Sequence, residues 1–444
     1  MLQAINSYRD WTLSDWLPHL ENRYLDEIKL GLTRIKHVAS MLNLLSPAAT
    51  VIMVAGTNGK GTTVAALESI YHAAGYRVGT YTSPHLLCFN ERIKINGECI
   101  GDDELCRAFC QIEETKQDIP LTYFEVSTLA ALLHFQNARL DVIVLEIGMG
   151  GRLDATNILT PDLSIITTID FDHQDFLGDT LDKIGFEKAG ILRVGKPAIY
   201  ADKTPPQSIF LCARMLGCPS YINGQHYSYE FTENEFIFNF ADLTHQFSKS
   251  HWHPNALAAA VMATICLKER LPIEGKAVIQ GLQSIFLNGR QQRLKFKVET
   301  LLDVSHNAQS VAYLADTLRE NQSNQRVHAV FSAFCDKDID ALLKPMIALV
   351  DYWYPALLTG KRATPTLQFD ALFKKYDIIY QAFYNSPWEA YQVACQNAAP
   401  GDLIVVYGSF LTVSVVLAAL IRQTEPGSNR ELLALKGSKN ESSH

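Results

Sequence analysis

Charge is scarce in this sequence. Of its 444 residues, 19% are Asp, Glu, Lys or Arg and 48% are hydrophobic. An ordinary globular chain carries roughly 25% charged residues. That balance excludes a disordered or low-complexity chain, which has few apolar residues and much charge. It leaves room for a large core. A positive excess is also missing: 39 Lys and Arg against 47 Asp and Glu give a net charge of −8. Such a chain lacks the electrostatic footprint of a nucleic-acid binder, so no nucleic-acid partner is expected. Paired cysteines are absent too. The nine are scattered, no CxxC occurs, and only Cys106 and Cys110 share helical i, i+4 spacing. This argues against a disulfide framework or a zinc ribbon and for reduced thiols in a cytoplasmic protein. Met1–His19 lacks a basic stretch followed by an apolar run, so no secretory signal is expected.

One long run has no charge, Leu403–Ile421. Its length could span a bilayer. The β-branched segment Leu403–Tyr407, the break at Gly408-Ser409 and the apolar run after it read better as buried strand, turn and buried helix. No membrane partner is expected. The rest of the chain alternates strands and helices. Strands are predicted at Val51–Val54, Tyr76–Tyr81, Asp141–Leu145, Leu163–Thr167, Thr300–Val304 and Val327–Phe331. Helices are predicted at Thr63–Ala74, Thr180–Ala189, Pro254–Leu267, Ala308–Glu320 and Asp338–Leu349. Asn96-Gly97 marks a hairpin over Arg92–Ile100, and Tyr227–Phe240 alternates like an antiparallel pair. Strands separated by helices of 10–15 residues imply α/β architecture with mostly parallel sheets. The pattern restarts after Asn288-Gly289-Arg290. Two domains follow, over 1–290 and 291–425, with a flexible tail over 426–444.

The strongest local signal is Val54-Ala55-Gly56-Thr57-Asn58-Gly59-Lys60-Gly61-Thr62-Thr63, between a predicted strand and a predicted helix. That is the setting of a phosphate loop. Glycines let backbone N–H groups turn toward phosphate oxygens, and the helix N-terminus adds positive potential. Lys60 can reach β/γ oxygens, and the Thr62 or Thr63 hydroxyl can cap the helix or approach magnesium. The pattern departs from G-x-x-x-x-G-K-[ST]: Val54 stands at the first Gly, and Gly61 separates Lys60 from Thr62. Glu146 ends a predicted strand, where ligands bind in open α/β sheets. It could hold Mg²⁺ or pair near the Gly148–Gly151 turn. Thr122-Tyr123-Phe124-Glu125 offers ring and polar groups for a flat heterocycle, or is simply a helix start with a core aromatic. Taken alone, His173 reads as a loop histidine and Lys188 as a surface lysine. Asp303 or Ser305 could cap the helix near Ala308, and Asn255 could cap the one after His253-Pro254. His251 and His253 read as loop residues.

The loop A-G-T-N-G-K-G-T-T resembles the ATP-binding loop of the Mur ligase superfamily, in particular folylpolyglutamate synthases and bifunctional dihydrofolate synthases. Further segments support the resemblance in order: Thr82-Ser83-Pro84-His85-Leu86, Glu146 through Asn157, Asp172 through Gly178, Glu187-Lys188-Ala189-Gly190, and Leu302 through Asn307. The resemblance implies an N-terminal P-loop ATP-binding domain with a mostly parallel sheet and a C-terminal Rossmann-like α/β domain. It implies ATP and one or two Mg²⁺ as cofactors. ATP would be bound by Gly56, Thr57, Asn58, Gly59, Lys60, Gly61 and Thr62, with Asn255. Arg290 would reach the phosphates, Asp303 the ribose and His306 the adenine. Ser83, Glu146 and His173 would bind magnesium. Lys188 would be carbamylated (N6-carboxylysine), and Lys60, Lys188 and His173 would serve catalysis. The carrier substrate would be met by Lys29, Leu30 and Gly31, by Thr122, Tyr123, Phe124 and Glu125, and by Leu153, Asp154 and Ala155. Ile28-Lys29-Leu30-Gly31-Leu32 departs from the family, which commonly has Asp at the position of Lys29.

The implied reaction is ATP-dependent amide formation through an acyl phosphate, joining L-glutamate to dihydropteroate and then to tetrahydrofolates, in a monomeric enzyme. A folylpolyglutamate synthase without the first activity is the alternative. A cell-wall Mur ligase is disfavoured by the T-S-P-H-L and D-A-T-N runs. A P-loop switch is disfavoured by Lys188 and the Glu146–His173 constellation.

Overall fold

A computed structural model describes residues 8–24, 30–232, 234–320 and 325–423. Lys29 and the predicted tail lie outside the described residues. Packing divides the chain between Ile285 and Phe286, where the sequence suggested 290/291.

The first unit is built on an eight-stranded sheet. Its strands are β1 (Thr50–Ala55), β2 (Val78–Tyr81), β3 (Ile93–Ile95), β4 (Glu98–Cys99), β5 (Val142–Glu146), β6 (Leu163–Ile166), β7 (Ala198–Tyr200) and β8 (Ser220–Ile222). They lie in the order β4-β3-β2-β5-β1-β6-β7-β8. From β2 to β8 every pairing is parallel, while β3 and β4 add antiparallel. Every residue of β1, β5 and β6 is buried. Parallel strands covered by helices on both faces require such apolar runs. The first strand ends at the phosphate loop, and the helix Lys60–Ala73 follows at once. Between β3 and β4, Asn96 (φ 52°) and Gly97 (φ 80°) take left-handed conformations, as a tight two-residue hairpin turn requires. That turn is tied to the phosphate-loop helix: Glu68 Oε1 accepts from Gly97 N at 2.8 Å and from the Thr80 hydroxyl at 3.3 Å.

The alternating Tyr227–Phe240 stretch forms β9 (Tyr227–Phe231) and β10 (Glu235–Phe240), and a third strand, β11 (Leu243–Ser248), extends it to a sheet in the order β11-β10-β9. β11 was not foreseen, because four of its six residues are exposed and its pattern is polar.

The second unit holds β12 (Gln292–Lys295), β13 (Glu299–Leu302), β14 (Val327–Phe331), β15 (Tyr352–Pro355) and β16 (Leu403–Tyr407), in the order β12-β13-β16-β14-β15. Only the β12–β13 pairing is antiparallel. The uncharged run resolves into β16 and the helix Phe410–Gln423. Among the described residues no helix is long and apolar enough to cross a membrane. The helix expected over Asp338–Leu349 stops at Leu343. Pro345 lacks an N–H, and in a continued helix its ring would clash with the carbonyl four residues back.

Candidate active site

The phosphate loop is shaped by what it packs against. Gly56 has φ 149°, and a Cβ there would sit 1.8 Å from Thr167 Oγ1 at the end of β6. Gly59, at φ 84°, caps the helix in a left-handed conformation. The loop is then pinned by hydrogen bonds. Thr57 N donates to Thr168 O at 2.8 Å, Asn58 N to Thr168 Oγ1 at 3.1 Å, and Thr167 Oγ1 to Asn58 O at 2.6 Å. Lys60 Nζ folds back over the loop, donating to Gly56 O at 3.0 Å and Thr57 O at 3.2 Å. Of the two hydroxyls, Thr63 donates to Gly59 O at 3.0 Å inside the helix, and Thr62 is buried at the first turn.

Glu146, the last residue of β5, is 5% exposed. Its Oε2 accepts from Ser83 N at 3.3 Å and lies 3.8 Å from where a Cβ on Gly61 would stand. Ser83, Glu146 and the start of the phosphate-loop helix are thus brought together. His173 enters a short helical turn at φ 51°, with Nε2 3.9 Å from Asp172 Oδ2. Among the described residues no three His, Cys, Asp or Glu side chains gather as a metal cluster. A carboxylate and hydroxyls beside a phosphate loop nonetheless suit Mg²⁺, which prefers oxygen, keeps several waters and takes substrate phosphates as ligands.

Lys188 is not a surface lysine. It is 4% exposed, on the helix Leu181–Ala189. Burial is the main cause that pulls its amine down to about 7; the Lys60 charge adds to this, while Asp172 and Asp154 oppose it. The turn that carries Asp154 docks directly on this helix. Arg152 N donates to Glu187 O at 2.8 Å. A Cβ on Gly151 would lie 2.8 Å from Glu187 O, and one on Gly190 would lie 2.3 Å from Arg152 Cβ. The glycines of G-G-R and E-K-A-G are where the two segments touch.

A cavity of about 400 Å³ opens in the same unit. Leu30, Gly31, Ser83, Thr122, Tyr123, Phe124, Glu125, Leu153, Asp154 and Ala155 all line it, so the three separate segments meet. Two of the acids have local work. Asp154 accepts from Met149 N (2.9 Å), Thr156 N (3.0 Å) and the Thr156 hydroxyl (2.6 Å). Burial raises its pKa against those bonds. Glu125 forms a reciprocal cap with Thr122, Thr122 N to Oε2 at 2.8 Å and Glu125 N to Thr122 Oγ1 at 3.2 Å, and pairs with Arg34 Nη2 at 3.2 Å. Leu20, Glu21, Pro84, Arg92, Gly148 and Met149 complete the wall and were missed. Gly148 is there because Phe124 leaves no space: a Cβ would lie 2.5 Å from Phe124 Cζ.

Asn255 does not cap its helix. His253 does, its Nδ1 accepting from Asn255 N at 3.3 Å. The Asn255 Oδ1 instead accepts from the Tyr229 hydroxyl at 2.7 Å and Asn223 Nδ2 at 3.3 Å. His253 is half-buried, and desolvation pulls its imidazole down to about 4.

In the second unit, Asp303 follows β13 and is 8% exposed. It organises a loop rather than a helix start. Gln291 N donates to Oδ2 at 2.9 Å, and Ser305 donates to Oδ1 through its N (2.9 Å) and its hydroxyl. The helix Ala308–Glu320 is capped by Asn307, whose Oδ1 accepts from Ser310 N at 3.0 Å. Arg290 lies over the Phe410 ring at 5.1 Å, and the His306 ring is 5.7 Å from the same ring. Phe410 had not been singled out; an apolar residue opening an apolar helix gives no signal.

Comparison with known proteins places the chain in a family. Residues 54–202 match the Mur ligase middle domain and residues 289–410 the Mur ligase glutamate ligase domain. The dihydrofolate synthase/folylpolyglutamate synthase of Escherichia coli is 39% identical over 411 residues, 92% of this chain and 95% of that protein. The structure of the E. coli enzyme in complex with DHPP and ADP superimposes with a TM-score of 0.89 at 38% identity, over 94% of this chain and 99% of that one. A bifunctional folylpolyglutamate synthase/dihydrofolate synthase with Mn, AMPPNP and L-glutamate bound gives 0.86 at 40%, over 93% and 98%. This chain belongs to the Mur ligase family and, within it, to the dihydrofolate synthase/folylpolyglutamate synthases, which are ATP-dependent ligases.

Proposed function

We propose that this chain joins L-glutamate to dihydropteroate and extends tetrahydrofolates with further glutamates, acting as a cytoplasmic monomer that binds neither nucleic acid nor membrane. The observation that carries this reading is the cavity. Residues 30–31, 122–125 and 153–155 are far apart in the chain and line one space with Ser83. Ser83 in turn meets Glu146 beside the phosphate loop. Nine free thiols support a reducing compartment.

In the first step a carboxylate oxygen of the carrier attacks the γ-phosphorus of ATP, and ADP leaves. In the second the L-glutamate amine attacks the acyl carbon, phosphate leaves and the amine gives up a proton. Carboxylate and γ-phosphate repel each other, so cations must stand between them. Lys60 does so from the loop, displaced from the Gly56 and Thr57 carbonyls by phosphate oxygens. Glu146, Ser83 and His173, with Thr62, would hold Mg²⁺, which supplies charge neutralisation when bound. Gly56, Thr57, Asn58, Gly59 and Gly61 offer backbone N–H groups to the phosphates. The buried Lys188 amine is held near neutrality, the form that reacts with CO₂ to give a carbamate and a proton. Asn255 is proposed as a nucleotide contact. Arg290, Asp303 and His306 are proposed as phosphate, ribose and adenine contacts.

The test is ADP release by purified protein with L-glutamate and either dihydropteroate or tetrahydrofolate. Release with both is expected. Release with tetrahydrofolate alone would make it a folylpolyglutamate synthase only, and release with neither would end the assignment.

A further inference from the structure

Arg92 ends the 3-10 turn just before the hairpin strand β3 and is 8% exposed, yet it lines the carrier cavity and is the one Lys or Arg among the described lining residues. A guanidinium does not lose its proton, so the charge stays in the wall. Its Nε donates to His85 Nδ1 at 2.9 Å, and its charge centre lies 5.4 Å from both the Phe89 and Tyr123 rings. These contacts fix the group and compensate it in part. No carboxylate pairs with it among the described residues. Of the three described cavity acids, Glu125 and Asp154 are engaged with Arg34 and Thr122, and with Met149 and Thr156, while the exposed Glu21 forms no ion pair with Arg92. The neighbouring Glu91 accepts from Leu86, Leu87 and Cys88 N–H groups at 2.8, 2.9 and 3.1 Å. A buried cation whose terminal nitrogens have no partner among the described residues is costly unless a ligand supplies an acceptor.

We infer that Arg92 contacts the carrier, donating through its terminal guanidinium nitrogens to an oxygen acceptor of the bound molecule, and that it helps select carriers presenting one there. This rests on the proposed folate reading of the cavity. Two oxygens share that chemistry, the ring carbonyl of a 4-oxo pteridine and the carrier carboxylate.

The experiment compares wild type, Arg92→Gln and Arg92→Lys. Carrier KM should rise at least tenfold in Arg92→Gln, with the KM values for ATP and L-glutamate unchanged, and Arg92→Lys should recover part of the loss. Carrier Kd by calorimetry should move with the carrier KM. A 4-amino carrier separates the two sources. If the ring carbonyl is the partner, wild type prefers the 4-oxo carrier and Arg92→Gln loses the preference; if the carboxylate is, both carriers weaken alike. An unchanged carrier KM and Kd in Arg92→Gln would overturn the inference, as would an equal rise in all three KM values with a lowered Tm. Wild type without glutamate-dependent ADP release would instead sink the folate reading, and the calorimetric comparison would still report on Arg92.

Discussion

At Lys188 an amine that water would protonate is kept out of water. Its folded pKa of about 7 lies below the ordinary lysine range. The unfolded chain therefore binds more protons between pH 7 and that range, and folding stability rises with pH across the interval. Below pH 7 the burial penalty is felt in full. Lys188→Met should accordingly raise Tm at pH 6 in CO₂-free buffer, with the gain shrinking toward pH 10, while abolishing ADP release. If the neutral amine is carbamylated, activity should fall in CO₂-depleted buffer and return with bicarbonate. A bicarbonate response that persisted in Lys188→Arg would count against that. Lys60 poses a different question. Its contacts are to loop carbonyls, while the loop itself is held by Thr167 and Thr168. Lys60→Ala should therefore cost about 10²–10³ in kcat, the scale of one lost electrostatic donor, with Tm nearly unchanged. Full turnover in that variant would refute the phosphate-loop role.

Between elements, glycines mark the contacts that place the site. Gly56→Ala meets both a strained φ and Thr167, so a stability loss of at least about 1–3 kcal/mol is expected, measured by denaturant unfolding. Gly148→Ala presses on Phe124 from the turn side. It should raise the carrier KM more than it lowers Tm; the reverse pattern would mean that Phe124 does not shape the cavity. These positions also show what the sequence could reveal. The phosphate loop was legible because its spacing is local and its strand and helix are strongly patterned. The parallel sheets followed from apolar runs at regular intervals. Arg92, His85 and Glu91 were not legible, since their roles come from a hairpin folding back onto a distant helix start. Asn307 rather than Asp303 caps its helix because Asp303 faces two backbone N–H groups, a choice that local spacing leaves open. Polar β11 carried no period strong enough to read.

On the scale of the molecule, the shortage of charge reflects strands buried in two sheets, with cations reserved for a few places. A nucleotide held by such a site stabilises what holds it. Mg-AMPPNP at 100 times its Kd should add about 2.7 kcal/mol of stability, read as a rise in Tm that EDTA removes. A rise untouched by EDTA would argue against metal-assisted binding. One earlier detail reaches across the first unit. The helix Lys60–Ala73 has the phosphate loop at its N-terminus, and through Glu68 it grips the Gly97 turn of the hairpin that starts from Arg92. With nucleotide proposed at one end of this helix and the carrier wall proposed at its flank, the two ligands are expected to speak to each other through it, a shift at one changing affinity at the other. Linkage makes that influence reciprocal, so nucleotide must alter carrier affinity by the same factor as carrier alters nucleotide affinity, and loosening the grip with Glu68→Ala should bring both factors toward one together.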